Sequence, residues 1–101
     1  MSAIAMSEHA VYHVVLAPEN SVDYPRTLRD RVVRALDDGE RHVVIDCREW
    51  RQLDLLVLSA LVRCARACCE FGAGFELINL RDHLRADLRE LRLDERLGIH
   101  A

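Results

Sequence analysis

Apolar residues recur in this chain at two alternating spacings. Val11-Tyr-His-Val-Val-Leu-Ala17 is rich in β-branched residues and predicts a strand. Ala3 to Met6 predicts a short partner strand across a turn at Ser7 to His9. After the loop Pro18-Glu-Asn-Ser21 the spacing changes. Leu28, Val32, Ala35 and Leu36 recur at helical intervals behind Pro25, and Gly39 stops the helix. His42-Val-Val-Ile-Asp-Cys47 is a continuous apolar run, the pattern of a buried central strand. An apolar helix then runs from about Leu55 to Glu70, with Gly72-Ala-Gly74 as its stop. Phe75 to Leu80 predicts another strand. A last helix carries Leu84, Leu88 and Leu91 on one face, and Leu93 to Ile99 predicts a terminal turn packed by Leu97 and Ile99.

The resulting order, β(β)αβαβα(α), predicts an α/β fold: a mixed sheet of four strands. Right-handed crossovers place consecutive helices on one face of that sheet. The 101 residues suit a single domain, 1–101. With half the residues apolar but only 5% aromatic, its core is aliphatic.

The net charge of −3 gives no electrostatic case for nucleic acid or an anionic membrane. All 14 basic residues are Arg. Without Lys there is no Schiff-base lysine and no P-loop lysine, which removes several enzyme classes. No run approaches the roughly 18 apolar residues of a membrane span. The N-terminus lacks the basic and apolar regions of a signal peptide, so a cytoplasmic, reducing compartment is expected. Cys47, Cys64, Cys68 and Cys69 are then expected to be thiols rather than disulfides. Gly72-Ala-Gly74 precedes a strand and is no phosphate loop. The His residues form no catalytic arrangement, so no enzyme and no cofactor are expected.

The chain resembles the STAS domains (sulfate transporter and anti-sigma factor antagonist) in their small stand-alone bacterial form. The family pattern is an apolar strand ending in Asp, about seven residues of loop, Asp-Ser-Ser-Gly-Leu, and an apolar helix. Here Val43-Val-Ile-Asp46 is followed by the loop Cys47 to Leu53, then Asp54, then Leu58-Ser-Ala-Leu61. Leu77-Ile-Asn79 and Leu93-Asp-Glu-Arg-Leu-Gly-Ile99 continue the match. The resemblance implies a STAS-like fold and a regulatory protein partner. It does not carry the family's switch. The position of the phosphorylated hydroxyl is Leu55, the next is Leu56, and the family glycine is Val57.

Asp54 has the residue type and position of a helix N-cap. At 100° per residue, Val57, Leu58, Leu61, Cys64, Ala65 and Cys68 form an inward stripe. Leu56, Ser59, Arg63, Arg66 and Glu70 form the opposite one, with Leu55 beside its head. Two leucines at a helix tip, with Trp50 in the adjacent loop, form a candidate contact patch; local packing under a neighbouring loop is the alternative. The expected partner-binding residues are Trp50, Asp54, Leu55, Leu56, Ser59, Arg63 and Arg66. Cys64 and Cys68 fall on the core stripe and lack the paired spacing of zinc knuckles, and Cys69 is the better candidate for a redox or small-ligand sensor. Arg81, Arg85, Arg89, Arg92 and Arg96 form a stripe interleaved with carboxylates, read as a solvated face. The resemblance implies one of two partners: an anti-sigma factor of the histidine-kinase-like ATPase type, or the ATPase subunit of a lipid-trafficking ABC transporter. A homodimer is a further option.

Overall fold

The computed structural model describes residues 11–17 and 21–99. The expected strand at Ala3 to Met6 lies outside them. Three strands, β1 (Val11–Val15), β2 (His42–Asp46) and β3 (Gly74–Ile78), alternate with three helices, α1 (Tyr24–Asp37), α2 (Leu55–Phe71) and α3 (Asp82–Glu90). The strands lie in the order β1-β2-β3 and both pairings are parallel. Among the described residues there are three strands, all parallel; the fourth strand of the expected mixed sheet falls outside them. A helix stands between each pair of consecutive strands, so each crossover returns the chain in the same direction.

The register sorts the two sheet faces. Val14, Ile45 and Leu77 align across the strands, and all three belong to one core cluster. Residues of α1 and α2 share the core cluster of this face, where the two helices pack extensively on each other. Leu28 and Val32 of α1, Leu61 and Cys64 of α2, and Leu84 and Leu88 of α3 join the same cluster. On the opposite face Val11 and Val15 are exposed, and His42 Nε2 meets Glu76 Oε1 at 2.9 Å.

The helix ends follow their residues. Gly72 takes the left-handed conformation at the end of α2 (φ +71°), and its N–H returns to the Cys69 carbonyl at 3.1 Å. Asp23 precedes α1 without capping it and instead meets Arg26 at 3.4 Å. The last helix is shorter than its leucine spacing predicts. It ends at Glu90, Arg92 turns left-handed (φ +61°), and Leu91 is exposed. The Leu84, Leu88, Leu91 face is thus corrected to Leu84 and Leu88. Leu97, fully buried, supplies the third apolar contact from the terminal turn.

Candidate docking surface at the start of the second helix

The loop between β2 and α2 is fixed at both ends. It begins at Asp46, buried at the end of β2. The Asp46 carboxylate accepts hydrogen bonds from Arg48 N at 3.1 Å, Arg48 Nε at 2.9 Å and Asn79 Nδ2 at 3.1 Å; Arg48 Nη2 also contacts it. Asn79 sits at the end of β3 with φ +56°, a conformation Asn tolerates better than most residues. The carboxylate thus ties the ends of two strands to the loop. The Arg48 hydrogen bond holds the Asp46 carboxyl well below the usual carboxylate range, outweighing the opposing effect of burial.

Further along the loop, Arg81 Nη2 donates to the Arg48 carbonyl at 3.1 Å. His83 Nε2 donates to the Arg51 carbonyl at 2.7 Å, which sets its tautomer. Trp50, only 1% exposed, anchors the loop from beneath. Its expected place in a surface patch is therefore corrected. An indole buries more apolar area than any other side chain, so the core claims it.

The loop delivers Asp54 to the start of α2 in an extended conformation (φ −136°, ψ 129°). Its Oδ1 accepts from Leu56 N at 2.7 Å and Val57 N at 3.2 Å. The carboxylate therefore satisfies the first amides of α2 and sits at the positive end of the helix dipole.

Beyond this cap the two leucines divide. Leu55 is 78% exposed; Leu56 is half-buried. The outward stripe led by Leu56 is corrected: Leu55 leads it. Ala60 and Ala67 are buried along with Val57, Leu61, Cys64, Ala65 and Cys68. Counting those two alanines and leaving out Leu58 rotates the buried arc by roughly 40° at 100° per residue. Leu56 moves to the flank, and Leu55, Ser59, Val62 and Arg66 take the outward centre. Leu58, expected inward, is half-buried and lines the surface.

Leu55, Leu58, Ser59, Val62, Arg63 and Arg66 line one open groove of about 410 Å³. Of the expected contact residues, the structure brings Leu55, Ser59, Arg63 and Arg66 together here; Asp54 caps the helix that bears them, while Leu56 and Trp50 do not line the groove. Val62 and Leu58 were missed by the sequence reading. The signal was present: Leu55, Ser59, Val62 and Arg66 recur at intervals of four, three and four, an outward repeat beside the core repeat.

The remaining candidate chemistry is modest. Burial pushes the Cys47 and Cys64 thiols up to about 12 and Cys68 up to about 11. Thiols held protonated in this way are poor nucleophiles. Cys69 alone of the four is exposed. Among the described residues no three His, Cys, Asp or Glu side chains group as metal ligands, and no helix is long and apolar enough to cross a membrane.

The sequence model of the family described as "Mlab, STAS domain" matches residues 7–99. The chain belongs to the STAS domain family. Its membership points to a protein-interaction module in regulation, within a family whose domains are generally non-catalytic. Comparison with curated proteins and with solved structures gives no match.

Proposed function

We propose that this STAS domain is a non-catalytic docking module that binds a regulatory protein partner through the start of α2. The observation that carries the reading is the exposure of Leu55. Leu55, 78% exposed, follows a loop held by hydrogen bonds and lines one groove with Leu58 and Val62, so these apolar side chains form a contiguous strip rather than single scattered positions. Preorganisation of the loop by Asp46, Arg81, His83 and Trp50 supports it, because a fixed platform loses little freedom on binding.

The partner this reading favours is an anti-sigma factor of the histidine-kinase-like ATPase type, in a cytoplasmic bacterial setting. Leu55 then makes binding constitutive, since phosphate cannot be placed on a leucine. Incubated with that kinase and ATP, the domain is expected to form a complex and to incorporate no phosphate. Stoichiometric phosphorylation would contradict the reading.

The same observation suits a second reading, an accessory subunit that stays on the ATPase of a lipid-trafficking ABC transporter. A leucine contact without a switch fits a permanent subunit. The two readings separate in an affinity capture from the native cell, repeated with Leu55→Asp. The captured ATPase identifies the reading, and its loss from the variant identifies the face. Capture unchanged by Leu55→Asp would reject the face in both.

A further inference from the structure

The surface of α2 continues beyond the groove at Leu55. A second depression, also of about 410 Å³, is lined by Val62, Ala65, Arg66, Cys69 and Arg96. Val62 and Arg66 belong to both, so the two form one groove. From Leu55 to Cys69 it follows α2 for about 21 Å at 1.5 Å per residue, the length of about four helical turns.

Its floor and its rim differ in chemistry. Leu55, Leu58, Val62 and Ala65 give an apolar floor. Arg63, Arg66 and Arg96 stand along it, and no carboxylate lines either half. Arg26, Arg29, Arg48 and Arg85 each meet a carboxylate of this chain. Among the described residues the three groove arginines, like seven of the other eleven, have no such ion pair; what sets these three apart is that they share an apolar groove with no carboxylate in its lining. Three unneutralised guanidinium groups around an apolar strip run against the chain's overall charge of −3. Arg96 reaches this place because α3 ends early and the chain turns back at Arg92.

We infer that the groove receives an acidic amphipathic helix of the partner protein. Apolar side chains at i, i+3, i+4 and i+7 of that helix seat on the Leu55–Leu58–Val62–Ala65 floor. Glu or Asp residues on its flanks pair with Arg63, Arg66 and Arg96, and because these guanidiniums have no carboxylate to give up, the pairing neutralises charge at no internal cost. Electrostatic complementarity of this kind sets partner choice and association rate. The inference rests on the docking reading above and specifies the partner element that the surface takes.

The test uses the partner obtained by affinity capture. Its affinity for the full chain is measured for wild type, Arg66→Glu/Arg96→Glu, Arg66→Gln/Arg96→Gln and Leu55→Asp, each first shown to have wild-type circular dichroism. The charge-reversed pair is expected to weaken binding by about tenfold or more, and the neutral pair by less. A compensating Glu→Arg in the partner segment is expected to restore the charge-reversed pair. Cys69, the exposed thiol within the groove, supplies an independent readout. Its alkylation by iodoacetamide is expected to slow about tenfold or more in the complex, since a thiol under a seated helix meets reagent only when the helix leaves. Wild-type affinity in both arginine pairs, or Cys69 alkylated in the complex at the free rate, overturns the inference. So does protection of Cys69 by self-association in the absence of partner, or by vesicles of phosphatidylglycerol, which would give the groove a different occupant. If Leu55→Asp abolishes binding while the arginine pairs do not change it, the acidic helix is rejected and the docking reading stands. If Leu55→Asp also leaves binding intact, the docking reading itself fails.

Discussion

At the scale of single residues, the start of α2 depends on one carboxylate. Asp54 satisfies two amides that have no partner within the helix. Asp54→Ala is expected to cost about 1 kcal/mol of unfolding free energy, measured by urea denaturation, and Asp54→Asn clearly less. That role was legible from sequence, because an Asp before an apolar repeat is a cap signature. The fate of the two leucines after it was not. Alanine is small and weakly apolar, so Ala60 and Ala67 carried little weight in the helical pattern. Only their burial in the structure shows which flank of α2 faces the core. Trp50 was misplaced for a related reason: a loop residue has no periodicity to say which way it points.

At the scale of elements, the ends of β2 and β3 are joined by the Asp46 carboxylate. Its folded pKa is depressed by its Arg48 and Asn79 partners. A depressed carboxyl contributes stability in full above its unfolded pKa, and that contribution is lost as pH falls through the folded value. Unfolding free energy is thus expected to decline as pH drops below about 4, the unfolded aspartate value. Asp46→Asn is expected to be less stable at neutral pH and to show a shallower acid decline. A pH series of denaturant melts on both proteins checks this, and parallel curves would contradict it.

The other end of the same strand pair depends on a missing side chain. A Cβ at Gly74 would lie 2.2 Å from His42 Nδ1 and 2.8 Å from its Cε1. Gly74→Ala must therefore displace the imidazole that meets Glu76. It is expected to destabilise by about 1–3 kcal/mol in thermal unfolding. His42→Ala should remove most of that penalty in the double variant. The sequence reading takes Gly72-Ala-Gly74 together as the helix stop, and within it Gly72 is the residue that ends the helix. Gly74 already belongs to β3, where close approach by a neighbouring strand's side chain excludes anything larger.

At the scale of the whole molecule, alternating strands and helices made the α/β class and the crossovers legible. Long apolar runs separated by glycine leave little choice of element. The strand count was less secure, because its extra strand rested on four residues outside the described part of the chain. The path of the C-terminal segment was not legible either. Its leucine and arginine spacings continue past Glu90, yet the helix stops there and Arg96 is carried to the groove of α2. Cysteine placement offers a global check of the packing. In the native state one thiol equivalent, from Cys69, is expected to react rapidly with a disulfide reagent, and four after denaturation. Rapid reaction of two or more in the native protein would contradict the packing of α2 against the core.

The central claim is that the exposed leucine at the start of α2 is a contact and not an accident of surface. It is tested most directly by the affinity of the captured partner for three proteins: wild type, Leu55→Asp, and Val22→Asp as a control at a residue 84% exposed. Both variants are expected to unfold within about 0.5 kcal/mol of wild type, as exposed substitutions do. Leu55→Asp is expected to weaken binding at least about tenfold, the effect of a charge placed against an apolar contact of an interface, while Val22→Asp binds as wild type. Equal affinity for wild type and Leu55→Asp would contradict the account.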